Sequence, residues 1–323
     1  MLINPTVINN LNIYRKEFEQ GKPFKHTVID NFLVPEIAQT LLKDFPQFKK
    51  EKAINEIGKV GGKAVHENLA EISLNYKILA EHIDSPDFLN TISQITGIER
   101  LINDNTFYGG GTHENLNGQE LDPHIDFNLD ERNWYHRRLN VIIFLNEEWE
   151  ESWGGALELH SNPREPDENK IIAFLPLFNR CIIFETNEYS WHGFTKIQLP
   201  EDKKHLSRKS ISIYLYTKDR PASELASPHT TFYVNRPLPA HIQPGKVLTE
   251  EDYQAIKVLL KRRDDLIYFY QKRELEEFSN LPSLKAQIKR YLALKNQSLW
   301  KLWMFWTWLK KTLKKPSSTL KQN

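Results

Sequence analysis

His124 and Asp126 stand two residues apart in the stretch LDPHIDFNLD, and His192 and Arg208 follow downstream in SWHGFTKIQLPEDKKHLSRKSISIYLYT. Two imidazoles and one carboxylate converging on a point are a donor set for a divalent ion that keeps coordination positions open for chemistry. Whether His124 and Asp126 can converge depends on the element beneath them. On a strand, positions i and i+2 project to one face, whereas on a helix the same spacing turns them roughly 200° apart. The tripeptide His-Ile-Asp occurs twice in the chain, and this geometry separates the copies. His82 lies within the helical spacing of LNYKILAEHI, and Asp84 precedes Ser85-Pro86, where its carboxylate reads as the cap of a new helix. His124 follows the loop GGGTHENLNGQELDP and enters an extended segment, so only the second copy is expected to bind metal.

The elements that must position these residues are legible as texture. Residues 1–23 read as an N-terminal extension. From Phe24 to about Gly97 a short strand, HTVIDNFL, gives way to helical spacing in PEIAQTLLKDF and LAEISLNYKILAEHI, which predicts a helical cover over 33–100. Short β-rich runs follow within 101–220: RRLNVIIFLN, GALELHS, KIIAFLP, NRCIIFET and SISIYLYT, separated by turn residues such as Gly154-Gly155 and Asn162-Pro163. The expected fold is mainly β with flanking helices, a sandwich or jelly roll occupying 24–220. Val141 to Leu145 is apolar at every position, so that strand should be central and buried on both faces. His192 is expected to end a β run and open a loop. Arg208 should open a strand with Ser210 on its own face and Lys209 on the other.

Five prolines within 221–247 argue against regular structure and suggest a connector. Helical signals resume over 248–297, where Thr249 and Asp252 resemble a capping box. The tail 298–323 begins with SLWKLWMFWTWLKKTLKK, residues 298–315, which packs four of the eight tryptophans beside lysines. Its apolar part, about 11 residues, is too short to span a bilayer, but its pattern is that of an interfacial helix. Peripheral membrane contact through 298–315 is therefore expected.

The 323 residues carry 43 basic against 42 acidic side chains, so no overall field favours nucleic acid. One cysteine, Cys181, excludes an internal disulfide and a cysteine-based zinc cluster and suits a reducing compartment, so a cytoplasmic location is expected. The N-terminal sequence lacks the basic-then-apolar pattern of a secretory signal.

On His124-x-Asp126, His192, Arg208-x-Ser210 and RRLNVIIFLNEEW with WGGALEL, the region from Phe24 to Pro221 resembles the Fe(II)/2-oxoglutarate-dependent dioxygenases of the prolyl-4-hydroxylase-like branch. The resemblance implies a double-stranded β-helix with His124, Asp126 and His192 holding Fe(2+) at one mouth. It implies 2-oxoglutarate and O2 as co-substrates, with L-ascorbate as a reductant. Arg208 matches the basic residue that pairs with the far carboxylate of 2-oxoglutarate, with Ser210 adding a hydroxyl and Tyr108 matching a tyrosine on the same carboxylate. A guanidinium suits that task because it grips a carboxylate through two parallel hydrogen bonds. The implied activity is hydroxylation of a peptide, glycan or small molecule, and the presence of Asp126 favours hydroxylation over halogenation.

Other residues have plainer readings. Asn140 is either a structural amide or a group facing the cofactor. Trp191 either walls the site or packs. His136 and His160 read as surface residues, and Cys181 as a small core residue. Two further classes stay open from the residues alone: a non-catalytic β-barrel binding module, and a jelly-roll enzyme using another metal without 2-oxoglutarate, against which Arg208-x-Ser210 speaks.

Overall fold

The protein is described from a computed structural model that covers residues 2–49, 63–130, 132–276, 285 and 289. The chain divides into two compact units, Met1–Leu260 and Lys261–Asn323.

Five α-helices lie N-terminal to most of the strands of the first unit: α1 (Pro5–Asn9), α2 (Leu11–Gln20), α3 (Pro35–Lys43), α4 (Leu74–Ile83) and α5 (Pro86–Thr96). The strands are β1 (His26–Ile29), β2 (Ala64–His66), β3 (Ile102–Asn103), β4 (Gly111–Asn115), β5 (Leu121–Ile125), β6 (Leu129–Asp130) and β7 (Tyr135–Phe144). They continue with β8 (Leu157–His160), β9 (Ile171–Phe174), β10 (Arg180–Glu185), β11 (Trp191–Phe194), β12 (Arg208–Thr217) and β13 (Phe232–Tyr233). All ladders between these strands are antiparallel. One sheet runs β1-β10-β7-β12-β4-β2, with β3 on β12 and β6 on β7, and the second runs β13-β5-β11-β8-β9. From β4 to β12 the chain passes back and forth between the sheets, with β4, β6, β7, β10 and β12 in the first and β5, β8, β9 and β11 in the second, a jelly-roll-like arrangement that among the described residues does not close into a barrel.

Side-chain alternation builds two cores from one sheet. Leu139, Val141 and Ile143 of β7 and Ile211, Ile213 and Leu215 of β12 face the helices, where they meet Val7, Phe18, Leu41, Leu79, Phe88 and Ile92. Phe144, Ile182 and Phe184 point the other way and join Leu157 and Leu159 of the second sheet. The apolar run of β7 is central, between β10 and β12.

Several expectations need correction. Residues expected as an N-terminal extension form α1 and α2, whose Val7 and Phe18 lie in the main core. Ser85, rather than Asp84, caps α5: its hydroxyl accepts from the Phe88 amide, and Pro86 begins the helix with its φ already set. The loop GGGTHENLNGQELDP contains β4, which carries no apolar signal because Thr112, His113, Glu114 and Asn115 are all buried polar residues. The proline-rich connector contains β13, since the run between Pro228 and Pro237 has no proline and is rich in threonine and aromatic residues.

A helix occupies 250–276 and starts on a reciprocal box: the Thr249 amide donates to the Asp252 carboxylate at 3.0 Å and the Asp252 amide to the Thr249 hydroxyl at 3.1 Å. Among the described residues no helix is long and apolar enough to cross a membrane. The Trp- and Lys-rich run 298–315 lies outside the described residues.

Candidate metal centre

His124 on β5 and His192 on β11 are direct cross-strand partners in the second sheet, with ring centroids 4.2 Å apart. The register slips between His192 and Phe194, and Gly193 permits it, because a Cβ there would stand 2.6 Å from the Leu121 carbonyl oxygen. Asp126 lies just beyond the end of β5. Its Oδ1 is 3.9 Å from His124 Nε2 and its Oδ2 3.6 Å from His192 Nε2. One donor atom from each of the three residues falls within 4.8 Å of the others. His192 lies within a strand of its own, β11, rather than opening a loop.

Both imidazoles are oriented through Nδ1, that of His124 toward the Asp122 carbonyl and that of His192 toward the Ser190 carbonyl, each at 2.9 Å. With Nδ1–H donating to a carbonyl, Nε2 carries the lone pair, and both Nε2 atoms face Asp126. Burial, with His124 adjacent, lowers the His192 pKa to about 3 and keeps it neutral, the form that ligates. Burial alone would raise the Asp126 pKa, but Arg137, His192, His124 and Asn140 together hold it well below the ordinary carboxylate range. A deprotonated carboxylate and two neutral, pre-aimed imidazoles fit Fe(2+), and three positions would remain open on a six-coordinate ion.

Behind Asp126 stands a buried pair. Arg137 Nη2 lies 3.0 Å from Asp126 Oδ2, and the Asn140 amide donates to the same oxygen at 2.8 Å. Arg137 also donates to Asn140 Oδ1 at 2.7 Å and lies over the Tyr214 ring at 3.6 Å. Of the two readings for Asn140, the structure shows an amide that fixes a carboxylate. Sequence reasoning missed Arg137; the signal was an arginine leading into the apolar run of the central strand, where a buried charge requires a partner.

Arg208 opens β12 on the face turned toward the second sheet. It is 5% exposed, lies over the rings of Phe144 and Phe194, and donates through Nε to the Gly155 carbonyl at 2.6 Å. Burial lowers its pKa to about 9, so the guanidinium stays charged at neutral pH. No carboxylate pairs with it among the described residues. Phe194 follows His192 by two positions on β11, which places Arg208 in the inter-sheet space roughly 7 Å along the strand from the imidazoles. Ser210 is buried on the face of Arg208, between His113 and Phe144 in register. Lys209 turns outward to Glu114 at 3.6 Å.

Tyr108 is placed differently from the expectation. It is 53% exposed on the rim, its ring 6.2 Å from that of Phe127 and under the Arg132 guanidinium. The cause lies in the following turn: the Gly109 carbonyl is held by the Tyr214 hydroxyl at 2.9 Å and by His113 Nε2 at 3.1 Å, which leaves the preceding side chain outside. Trp191 pairs with His160 on the outer face of the second sheet, so it does not wall the site. His160, expected at the surface, is buried there beside Asn169 and Glu158. In the other copy of His-Ile-Asp, His82 packs on Phe88 near the end of α4, remote in kind from any ligand set.

The fold and the site define a jelly-roll protein with a two-histidine, one-carboxylate centre and a buried guanidinium in the same inter-sheet space. Residues 110–216 match the profile of the 2OG-Fe(II) oxygenase superfamily. The chain is 24% identical over 244 residues to the mouse prolyl 3-hydroxylase OGFOD1, an alignment that takes in 71% of this chain and 38% of that protein. It therefore spans well under half the length of the curated relative it matches. Among solved structures it is similar to a Trichoplax adhaerens prolyl hydroxylase, with 17% identity, 67% of this chain and 94% of that one covered, and a TM-score of 0.44. A Pseudomonas putida prolyl-4-hydroxylase gives 13% identity, 65% and 100% coverage, and the same TM-score of 0.44.

Proposed function

We propose that the chain is an Fe(II)- and 2-oxoglutarate-dependent dioxygenase that hydroxylates a protein or peptide side chain, with release of succinate and CO2. The observation that carries this reading is the pairing of two charge patterns in one cavity. His124, Asp126 and His192 leave a bound Fe(2+) with one net positive charge, and Arg208 supplies a second, buried cation that pairs with no carboxylate among the described residues. A dianion with a chelating 2-oxo acid at one end and a carboxylate at the other matches both.

Iron(II), when bound, supplies O2 activation coupled to oxidative decarboxylation of 2-oxoglutarate. This chain's residues do the remaining work. His124 and His192 present Nε2 as neutral ligands, fixed by their Nδ1 contacts. Asn140 and Arg137 occupy Asp126 Oδ2, which favours Oδ1 as the metal-facing oxygen. Arg208 and Ser210 orient the co-substrate, and Phe144, Phe184 and Phe194 keep water from the space between the sheets.

A prolyl residue is the favoured substrate class, since the mouse relative OGFOD1 is a prolyl 3-hydroxylase. The test is succinate production on a peptide panel with Fe(2+), 2-oxoglutarate and L-ascorbate, above the uncoupled background and absent in Asp126→Ala. Substrate-independent failure to form succinate would instead favour a binding module. The lone buried cysteine supports a cytosolic location, and the Trp/Lys pattern of 298–315 supports peripheral attachment to anionic lipid. Vesicle flotation of the full chain and of a chain lacking 298–323 tests that attachment, which equal flotation would exclude.

A further inference from the structure

The imidazole pair is the middle of a longer row of rings. Phe184 of β10 lies 4.8 Å from His192, His192 lies 4.2 Å from His124, and His124 lies 5.2 Å from Tyr233 with planes only 27° apart. The first three rings come from within the superfamily match at 110–216, but Tyr233 comes from β13, beyond it. β13 pairs with β5 so that Tyr233 stands directly opposite His124, and the Val234 amide continues the pairing to the Pro123 carbonyl at 2.8 Å. Opposed residues on antiparallel strands share a face, so Tyr233 reaches His124 on the side away from His192.

The segment that delivers Tyr233 is tied down on both sides of it. Before β13, the Asn128 amide donates to the Ser227 carbonyl at 2.9 Å, its Oδ1 accepts from the His229 amide at 3.0 Å, and His229 Nε2 meets Glu188 at 2.8 Å. After β13, Arg236 donates to Glu158 at 2.8 Å and to the Leu121 carbonyl at 3.3 Å. Asn128 and Leu121 bracket His124 and Asp126, so the segment is fastened to the metal-binding strand itself.

We infer that Tyr233 is a positioning residue for His124 and that the segment 227–236 completes the metal site. One side of the His124 ring is held by His192, a ligand that must be free to adjust to the ion. The other side is held by Tyr233, which sets the ring plane and excludes water from that edge. Groups that orient a ligand from outside the coordination sphere typically change metal affinity about 10- to 100-fold when removed. The inference rests on the assignment of His124 as a ligand.

The test is calorimetric titration of the full chain with Mn(II) or Co(II) alone, without 2-oxoglutarate. Tyr233→Ala should weaken binding about tenfold, and Tyr233→Phe, which keeps the ring, should bind within about twofold of wild type. Tyr233→Leu keeps apolar bulk without a ring and should weaken binding as Ala does while retaining the wild-type circular dichroism spectrum; it carries the test if the alanine variant fails to fold. Wild-type affinity in Tyr233→Leu would overturn the inference, as would a Tyr233→Phe variant as weak as Ala. If wild type itself takes up no ion, the ligand assignment fails and this inference with it, an outcome distinct from unchanged binding in the variants.

Discussion

Arg137 and Asp126 form an ion pair 3.0 Å long inside the molecule, with Arg137 only 1% exposed. The pair joins the central strand of the larger sheet to the end of β5 in the smaller one. It therefore couples the stability of the fold to the position of a metal-facing carboxylate. Breaking such a pair is costly, because the surviving partner keeps its burial and loses its compensation.

Arg137→Met should destabilise the metal-free protein by about 3–5 kcal/mol and weaken divalent-ion binding. Urea unfolding at neutral pH measures the first and calorimetry the second. Arg137→Lys should recover little of either, since an ammonium cannot serve Asp126 and Asn140 together while stacking on Tyr214. A lysine variant close to wild type in both would contradict this role.

Arg208 poses the opposite case, a buried cation without a counter-ion among the described residues. Arg208→Met should raise the stability of the metal-free protein by about 1–3 kcal/mol and raise the KM for 2-oxoglutarate steeply, with metal affinity little changed. A destabilised Arg208→Met variant would show that the Gly155 hydrogen bond outweighs the cost of the buried charge.

Acid should unfold the metal-free chain early. Burial holds the His113 pKa well below its ordinary value, and that of His192 at about 3, so the folded state leaves both neutral. The unfolded chain protonates its histidines near pH 6.5 and so binds more protons below that point. Stability is thus fully present above about pH 6.5 and declines as pH falls toward 3, by up to about 1.4 kcal/mol per pH unit for each histidine. Urea midpoints at several pH values check this, and His113→Gln should make the decline shallower. A midpoint flat from pH 7 to 5 would contradict it.

The parts of this architecture that announce themselves in the sequence are those with an apolar signature. β7 and β12 read as strands because Val141 to Leu145 and SISIYLYT carry β-branched and aromatic residues, and the parity of β12 separates Arg208 and Ser210 from Lys209. β4 stays hidden because its buried residues are polar and draw part of their hydrogen bonding from distant partners, as His113 does from Ser212 of β12. β13 stays hidden because the prolines flanking it, Pro228 and Pro237, mask a short extended run whose meaning comes from the strand it joins. The ligand histidines are legible by type and order, but their cross-strand pairing depends on a bulge at Gly193 that local pattern does not encode. Arg137 was visible as a charge just ahead of the apolar run of β7, and only the fold names its partner.

The most direct test of the central claim is an anaerobic titration of the full chain with Fe(2+) and 2-oxoglutarate, monitored by the visible charge-transfer absorption of the chelate. The expected result is one iron per chain and a saturable band that is lost in Asp126→Ala and shifted to much higher 2-oxoglutarate in Arg208→Met. A band that persists in Asp126→Ala, or a wild-type chain that binds no iron under these conditions, would contradict the assignment of His124, Asp126 and His192 as a single metal centre.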